Sequence, residues 1–188
     1  MKARKATPLA RIELLILDVD GVLTDGRLYF AARGEALKVF HVRDGHGIKL
    51  LMSAGVAVAA FSGRRSAAVA IRMRELGVRR LVQACSDKVA ALRRLTAQLG
   101  IDPLNCACIC DDTPDLGLMS AVGVAGAVAD AHPLVKSAAH WVAKANGGHG
   151  AVREFCDALL RARAAAPAPR AIAPAARAAA PPIRAGRR

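Results

Sequence analysis

The sequence predicts an α/β protein, a three-layer, Rossmann-like fold whose parallel sheet carries a small β-hairpin excursion. Short apolar runs of strand length alternate with longer amphipathic stretches, and this alternation is typical of parallel strands joined through helices. Hydrophobic residues make up 54% of the chain and aromatic residues only 3%. We therefore expect one domain within the 188 residues, with a core built mainly of alanine, valine, leucine and isoleucine.

Strands are predicted where short apolar runs are bounded by turn residues. In chain order these runs lie at 12–17, 56–61, 79–84, 106–110, 123–128 and 140–143. Two further extended arms within 28–42 flank a turn at Arg33-Gly34 and predict a hairpin.

Helices are predicted where apolar residues recur at helical spacing and the stretch closes on a stop signal. In chain order they lie at 44–55, 66–77, 86–100, 113–122, 132–138 and 150–163. Gly55, Gly77 and Gly100 supply the C-terminal stops of the first three. Ser86 is predicted as an N-cap, and Pro114 suits a first helical turn.

The net charge of +13 is concentrated at the two ends of the chain. Residues 1–11 hold four lysines or arginines and residues 161–188 hold seven arginines, with no acid in either stretch. We expect a basic N-terminal arm at 1–10, a folded domain at 11–163 and a disordered Ala/Pro/Arg tail at 164–188. The nearly neutral domain, poor in aromatic side chains, argues against a nucleic-acid partner.

Cysteine usage and the absence of long apolar runs predict a cytoplasmic protein with no membrane partner. The chain has five cysteines, an odd number without a CxxC pair, which favours reduced thiols over disulfides or zinc. Cys106, Cys108 and Cys110 alternate, so in a strand they should face one side. No apolar run reaches the length of a membrane span, and the N-terminus lacks the apolar region of a signal peptide.

Charged and hydroxyl residues follow the predicted strands at the end of the sheet where ligands bind in such folds. They are Asp18 and Asp20, then Ser62, Gly63 and Arg64, then Lys88, and finally Asp111, Asp112 and Asp115. Crowded carboxylates would repel one another and raise their own pKa values unless a hard cation such as Mg²⁺ bound them. Lys88 and Ser62 would offer the charge and donors that suit phosphate oxygens, which predicts Mg²⁺-dependent phosphoryl transfer.

The spacing of Asp18 and Asp20 points to the reaction chemistry. Residues two apart on a strand face the same side, so both carboxylates can flank one substrate atom. One would attack phosphorus to give an aspartyl-phosphate, and the other would protonate the leaving alkoxide and then take a proton from water. Gly21 allows the backbone to turn sharply after the pair.

Four short motifs, in the order DVDGVLTDG, FSGR, SDK and CDDTPDL, resemble the haloacid dehalogenase superfamily of phosphatases. Three further stretches, VFHVRDGHGIKLL, AVADAHPLV and GGHGAVREFCDALL, are similar to the branch of that superfamily that hydrolyses 3-deoxy-D-manno-octulosonate 8-phosphate. The resemblance covers residues 11–161.

The resemblance implies a role for each site residue. Asp18 is implied as nucleophile and metal ligand, and Asp20 as the acid/base that also gives its backbone carbonyl to the metal. Ser62 and Lys88 would hold the phosphoryl group. Asp111 and Asp115 would complete the Mg²⁺ site, as third protein ligand and supporting acid.

The implied substrate is an acidic sugar phosphate used in lipopolysaccharide precursor synthesis, and arginines near the crevice would bind its carboxylate. The candidates are Arg64 with Gly63, then Arg72 and Arg43. Phosphates of related nine-carbon keto acids stay open as substrates. A non-catalytic phospho-acceptor or interaction module is the alternative from another class, although the order of the motifs and the intact aspartate pair speak against it.

The spacing of the motifs leaves no room for an inserted cap domain. Between Asp20 and Ser62 only a hairpin and a helix fit, and between Ser62 and Lys88 only a helix and a strand. Water must therefore be excluded by other means, and a neighbouring subunit is the natural source. The resemblance implies the same arrangement, a homotetramer without cap domains. Its hairpins, here 28–42, would associate and help to close the site of the neighbouring subunit.

The sequence departs from the family pattern at several points, among them Ser62 in place of the more usual threonine and Thr113-Pro114 in place of more apolar residues. Cys110 stands where the acidic motif usually has glycine, and a side chain there could crowd the approach to the metal. The Ala/Pro/Arg tail replaces the family's C-terminal segment, which can reach a neighbour's site.

Overall fold

Eight strands lie within residues 8–32 and 34–166, the part of the chain that the computed structural model describes. They are Leu14–Leu17 (β1), Tyr29–Ala31 (β2), Gly34–Leu37 (β3), Ala57–Phe61 (β4), Arg80–Val82 (β5), Cys106–Cys110 (β6), Val124–Ala127 (β7) and Trp141–Val142 (β8). Six of them form a parallel sheet in the order β5-β4-β1-β6-β7-β8, and β2 pairs with β3 as a separate antiparallel hairpin. The predicted α/β class, the parallel sheet and the hairpin excursion are confirmed.

Six α-helices cover the two faces of this sheet. They are Val42–Ser53 (α1), Ala67–Leu76 (α2), Lys88–Leu99 (α3), Leu116–Ser120 (α4), Pro133–Ala138 (α5) and Ala151–Ala165 (α6). One group is formed by α1 with α2 and α6, and the other by α4 with α3 and α5. Right-handed crossovers on either side of β1 account for this division, because the chain first runs toward β5 and then returns toward β8.

The strands at the centre of the sheet are buried along their whole length, as expected for a sheet covered on both faces. Alanine, valine, leucine, isoleucine and cysteine dominate the core, and the three alternating cysteines of β6 are fully buried within it. On the β8 side, Trp141 and Phe155 pack with ring centroids 4.8 Å apart. The structure thus confirms a core with few aromatic side chains.

The hairpin is shorter than the sequence predicts. Its paired residues end at Leu37, and α1 begins at Val42, two residues before the predicted start. The reason is local: the His41 imidazole accepts the backbone N–H of Arg43 at 3.2 Å and caps the helix. Residues 38–41 therefore connect the hairpin to α1.

Two other predicted boundaries also differ. The N-cap of α3 is Asp87, whose carboxylate accepts the N–H of Ala90 at 2.8 Å, and not Ser86. The stretch predicted as a helix at 113–122 divides into a 3₁₀ turn, Thr113–Asp115, followed by α4. The stops at Gly77 and Gly100 are confirmed, since both adopt the left-handed conformation at the helix ends.

The ends of the folded part differ slightly from the expected segments. Pro8–Arg11 forms a 3₁₀ turn that packs against α6, although the basic arm was expected to run to residue 10. The Arg163 guanidinium donates to the carbonyls of Ile12 and Ala54, which joins the end of α6 to β1 and α1. Residues 1–7 and 167–188, which hold most of the expected arm and tail, lie outside the described residues.

Across residues 8–32 and 34–166, none of the helices combines the length and the apolar character that crossing a bilayer requires.

Asp44, in the first turn of α1, caps the N-terminus of α6. Its buried carboxylate accepts the N–H groups of Gly150 at 3.3 Å and Arg153 at 2.8 Å. Gly150 has no side chain that could satisfy these donors, so the carboxylate from another helix does so. Asp44 thereby links α1 to the start of α6, and both segments belong to the stretches that resemble the family.

We expect Asp44→Ala to lower the free energy of unfolding by about 2 kcal/mol, because two buried donors lose a charged acceptor. Urea denaturation would measure the change. Asp157→Ala is the matched control, since Asp157 accepts only from Arg153 at 2.9 Å at a partly exposed position. The control should change the free energy of unfolding by less than about 0.5 kcal/mol. Equal effects of the two variants would contradict the capping role.

Candidate active site

A cavity of about 310 Å³ opens at the carboxyl ends of the central strands. Ligands bind at this position in open parallel sheets. Here the chain connects β1 to β4 on one side, and the later strands β6, β7 and β8 lie on the other side of β1, so the loops after β1 and β6 diverge and leave a crevice. Its lining residues are Asp18, Asp20, Gly26, Gly63, Arg64, Cys85, Ser86, Lys88, Asp111, Asp112, Pro114 and Asp115. The structure therefore brings residues from all four sequence motifs together.

Lys88 lies between two carboxylates at the floor of this cavity. Its ammonium donates to Asp18 Oδ1 at 2.7 Å and lies 2.6 and 2.8 Å from the two carboxylate oxygens of Asp115. Burial alone would lower the pKa of Lys88, but Asp18 and Asp115 outweigh it and raise the pKa well above its ordinary value. Lys88 is therefore a fixed cation beside Asp18.

Asp111, directly after β6, faces Asp18 across the end of the sheet. Asp18 is the charged neighbour that acts most strongly on Asp111. Burial and then the charge of Asp18 raise the pKa of Asp111 to about 8, and burial also raises the pKa of Asp18. Two buried, neighbouring carboxylates repel each other, and a shared proton or a bound cation relieves that repulsion.

Gly21 allows the Asp111 carboxylate to lie close to the backbone of the turn after β1. It has a φ of +82°, and a Cβ at this position would lie 2.0 Å from Asp111 Oδ2. A side chain would thus be both strained and in collision with the site. The turn after β1 is also held from behind, where Gly147 packs so closely that a Cβ would lie 1.7 Å from the Gly21 carbonyl oxygen.

The residues present fit a magnesium ion. Mg²⁺ usually takes one or two carboxylates and completes its octahedron with water and phosphate oxygens, and Asp18 and Asp111 provide such a pair. Among the residues described, no three His, Cys, Asp or Glu side chains converge into a purely protein cage.

Asp115, which is predicted to complete the metal site, contacts Lys88 in this structure. Both of its oxygens face the Lys88 ammonium, and its side chain is almost completely buried. It lies in the 3₁₀ turn before α4, one turn beyond Asp111. Its contacts are those of a residue that orients Lys88.

Asp20 is held by two side chains from different elements. Lys38, which follows β3 in the chain, donates to Asp20 Oδ1, and the Ser62 hydroxyl lies 3.4 Å from Oδ2. Lys38 is not among the site residues that the sequence predicts. The sequence shows only that Lys38 follows a strand of the predicted hairpin. No residue pattern near it indicates that the hairpin packs against the site.

Ser62, Gly63 and Arg64 form a loop that is tied to the neighbouring loop after β5. The N–H of Cys85 donates to the Ser62 carbonyl at 3.0 Å, and that of Ala84 donates to the Arg64 carbonyl at 3.1 Å. Ala84 has a φ of +51°, a conformation that alanine adopts at a cost of about 1 kcal/mol or more. The backbone is thus strained at the rim of the site.

The predicted substrate-binding arginines fall into two groups. Arg64 and Gly63 line the cavity, and the Arg64 guanidinium lies 5.9 Å from the centre of the Phe30 ring of the hairpin. Arg72 and Arg43 do not line it. Arg72 pairs with Glu75 at 2.9 Å and packs beside Gly45, whereas Arg43 is exposed at the start of α1.

Cys110 does not obstruct the site. Its side chain is fully buried and is not among the groups that line the cavity. A hydrogen bond with Cys108 and burial raise the pKa of the Cys110 thiol well above its ordinary value, so it stays protonated. Cysteine at this position of the motif is accommodated in the core.

The chain is similar to known phosphatases and hydrolases of one family. The sequence profile of the haloacid dehalogenase-like hydrolases matches residues 75–155. The 3-deoxy-D-manno-octulosonate 8-phosphate phosphatase of Yersinia pestis is 47% identical over 154 residues, which is 82% of each chain.

Solved structures resemble the fold over the same range. A crystal structure of the Yersinia pestis phosphatase superimposes with a TM-score of 0.82 at 46% identity, covering 84% of this chain and 85% of that one. The Moraxella catarrhalis phosphatase, solved with magnesium, phosphate and a KDO molecule, gives a TM-score of 0.81 at 37% identity, covering 84% and 90%.

We expect metal-free protein to lose stability as the pH rises, and Mg²⁺ to restore it. The pKa of Asp111 is about 8 in the folded state, so above the ordinary carboxyl pKa folding takes up a proton. The folded state therefore becomes less stable at each higher pH until about pH 8. A cation bound by the two carboxylates replaces that proton.

Thermal denaturation from about pH 6 to about pH 9 would test this, and the rise in melting temperature caused by Mg²⁺ should grow up to about pH 8, the pKa of Asp111, and then level off. In Asp111→Asn this growth should disappear. In Asp102→Asn, which changes an exposed carboxylate ahead of β6, it should remain. A rise that is constant with pH in the unmodified protein would contradict the shared-proton arrangement.

Proposed function

Because the chain belongs to the family of 3-deoxy-D-manno-octulosonate 8-phosphate phosphatases, which are haloacid dehalogenase-like hydrolases, we propose that it hydrolyses that sugar phosphate to 3-deoxy-D-manno-octulosonate and phosphate. It is a Mg²⁺-dependent phosphoric monoester hydrolase that serves lipopolysaccharide precursor synthesis. The observation that carries the proposal is the placement of Asp18 between Lys88 and Asp111, at the end of β1.

Asp18 is the nucleophile in this proposal. Its carboxylate attacks phosphorus and forms an aspartyl-phosphate while the bond to the sugar oxygen breaks. The fixed ammonium of Lys88 stabilises the negative charge of the phosphoryl group, and Asp115 holds that ammonium in place. Gly63, which lines the cavity, would donate its backbone N–H to the phosphoryl oxygens, and the Ser62 hydroxyl, which contacts Asp20 in this structure, would turn to do the same.

Asp20 is the acid and base. It donates a proton to the sugar oxygen as that oxygen leaves, and then accepts a proton from the water that attacks the aspartyl-phosphate. The second step releases phosphate and restores the Asp18 carboxylate. Both steps use one carboxylate because the leaving oxygen and the water occupy the same side of phosphorus.

Asp18, Asp111 and the Asp20 carbonyl would hold the Mg²⁺ ion. When bound, the ion neutralises charge on the phosphoryl group and the nucleophile, so that the two anions can meet. The carboxylate of the substrate is bound in this proposal by Arg64, whose guanidinium lines the cavity.

A panel of phosphorylated sugars assayed with Mg²⁺ would test the substrate. We expect 3-deoxy-D-manno-octulosonate 8-phosphate to have the highest kcat/KM, ahead of nine-carbon keto-acid phosphates and of neutral hexose phosphates. Asp18→Asn should lower kcat by at least about 10⁴-fold, because the amide cannot form the intermediate. Retained activity would remove Asp18 as nucleophile, and turnover of only small unselective phosphates would contradict the substrate.

We also propose that four copies of the chain associate through their hairpins. Apolar side chains of the hairpin and its flanks are exposed: Leu28, Tyr29, Phe30, Leu37, Val39 and Val42. A contiguous apolar surface of this kind is typical of an interface. Between residues 20 and 62 the described chain has only this hairpin, α1 and β4, and none of them is a cap domain. A neighbouring hairpin would therefore supply the side of the cavity that is open to water.

We place this assembly in the cytoplasm, because all five cysteines are free thiols and four of them are buried in the core. Such thiols are typical of a reducing compartment.

We expect the double variant Leu28→Glu with Leu37→Glu to dissociate the oligomer, because each carboxylate would be buried in an apolar interface. Light scattering after gel filtration would measure the mass. Leu104→Glu is the control, since Leu104 is 69% exposed and lies far from the hairpin, beside the start of β6. A single-chain mass for the unmodified protein, or an unchanged mass for the double variant, would contradict the hairpin interface.

A further inference from the structure

Lys38 is a buried lysine that the phosphatase mechanism described so far does not use. Its side chain is only 2% exposed, and its ammonium contacts Asp20 and lies 3.4 Å from Glu35 Oε2. A lysine loses several kcal/mol of hydration when it is buried, so it is retained where charged partners compensate. The partner at the site is the carboxylate assigned as acid and base.

Lys38 and Ser62 contact different oxygens of the Asp20 carboxylate. Lys38 binds Oδ1 and Ser62 lies near Oδ2, so the plane of the Asp20 carboxylate is determined by two elements that are 24 residues apart in the chain. Of the two oxygens, Oδ1 carries the stronger, charge-assisted contact. The oxygen on the Ser62 side is left to exchange a proton with the substrate.

Glu35 keeps the lysine in this orientation. It lies in β3, its Oε1 accepts from the Ser66 hydroxyl, and its Oε2 lies 3.8 Å from Arg64 Nη2. The hairpin is therefore connected to the loop after β4 and to the start of α2. Lys38 can reach Asp20 only while the hairpin is folded against this part of the domain.

We propose that Lys38 is a positioning residue for Asp20: its ammonium holds Oδ1 so that Oδ2 faces the leaving oxygen. In the first step the Asp18 oxygen bonds to phosphorus, the bond from phosphorus to the sugar oxygen breaks, and the proton on Asp20 Oδ2 passes to that oxygen. In the second step water bonds to phosphorus, its proton passes to Oδ2, and the aspartyl–phosphorus bond breaks. This inference rests on the proposed function.

The choice of substrate separates a positioning role from a structural one. An alkyl phosphate needs Asp20 as an acid in the first step, whereas p-nitrophenolate leaves without a proton. With p-nitrophenyl phosphate, Asp20 acts only in the second step. Misplacing Asp20 should therefore slow turnover of both substrates but spare the initial burst of p-nitrophenolate.

We expect Lys38→Met to lower kcat on the sugar phosphate by about 10-fold to 100-fold, with KM changed by less than about 3-fold. The burst rate with p-nitrophenyl phosphate, followed by stopped flow with Mg²⁺, should stay within about 3-fold of the unmodified protein while steady-state turnover falls. Lys38→Arg, which keeps the charge, should recover part of the loss. Lys49→Met, an exposed lysine of α1, is the control and should change neither rate.

Glu35→Gln distinguishes the two roles further, because it removes the second carboxylate from Lys38 but leaves the contact with Asp20. If the cluster served only to fold the hairpin, Glu35→Gln and Lys38→Met should cause equal losses and should slow the burst as much as turnover. That result, or unchanged rates in Lys38→Met, would overturn the inference. If the unmodified protein failed to hydrolyse the sugar phosphate, the substrate proposal would fall, and the burst experiment would still decide the role of Lys38.

Discussion

The repulsion between carboxylates at the end of the sheet is the constraint on which the rest of this structure depends. Asp18 and Asp111 come from adjacent strands, and the parallel order β4-β1-β6 brings their carboxyl groups together beside Lys88. Such a group is stable only while cations or protons balance it. The buried strands, the glycine turn after β1 and the ion pair of Lys88 with Asp115 all serve to keep that arrangement rigid.

Two lysines balance the negative charge of these carboxylates, and each contacts a different one. Lys88 lies within the domain and pairs with Asp18, so its position follows from the sheet and from α3. Lys38 belongs to the hairpin and contacts the neighbouring carboxylate Asp20. The capless domain thus receives one cation from its core and one from the element that carries its exposed apolar surface.

Rigidity around the cavity comes from contacts between loops and helices that are distant in the chain. Asp44 caps α6 from α1, Gly147 packs against the turn after β1, and the loop at Ala84 is hydrogen-bonded to the loop at Arg64. A catalytic group must be held to a fraction of an ångström if it is to act on a bound phosphoryl group. These contacts explain why motifs outside the cavity are needed for a site within it.

The sequence by itself determined the α/β class, the order of strands and helices, the aspartates and lysine that meet in the cavity, and Ser62, which lies beside Asp20. These follow from periodicity and from the rule that strand ends in a parallel sheet form the binding edge. Only the tertiary structure decided that Asp115 faces Lys88, that Arg72 and Arg43 lie away from the cavity, and that Lys38 reaches Asp20. Each of these depends on where a side chain points after distant segments pack, and no local pattern of residues encodes that direction.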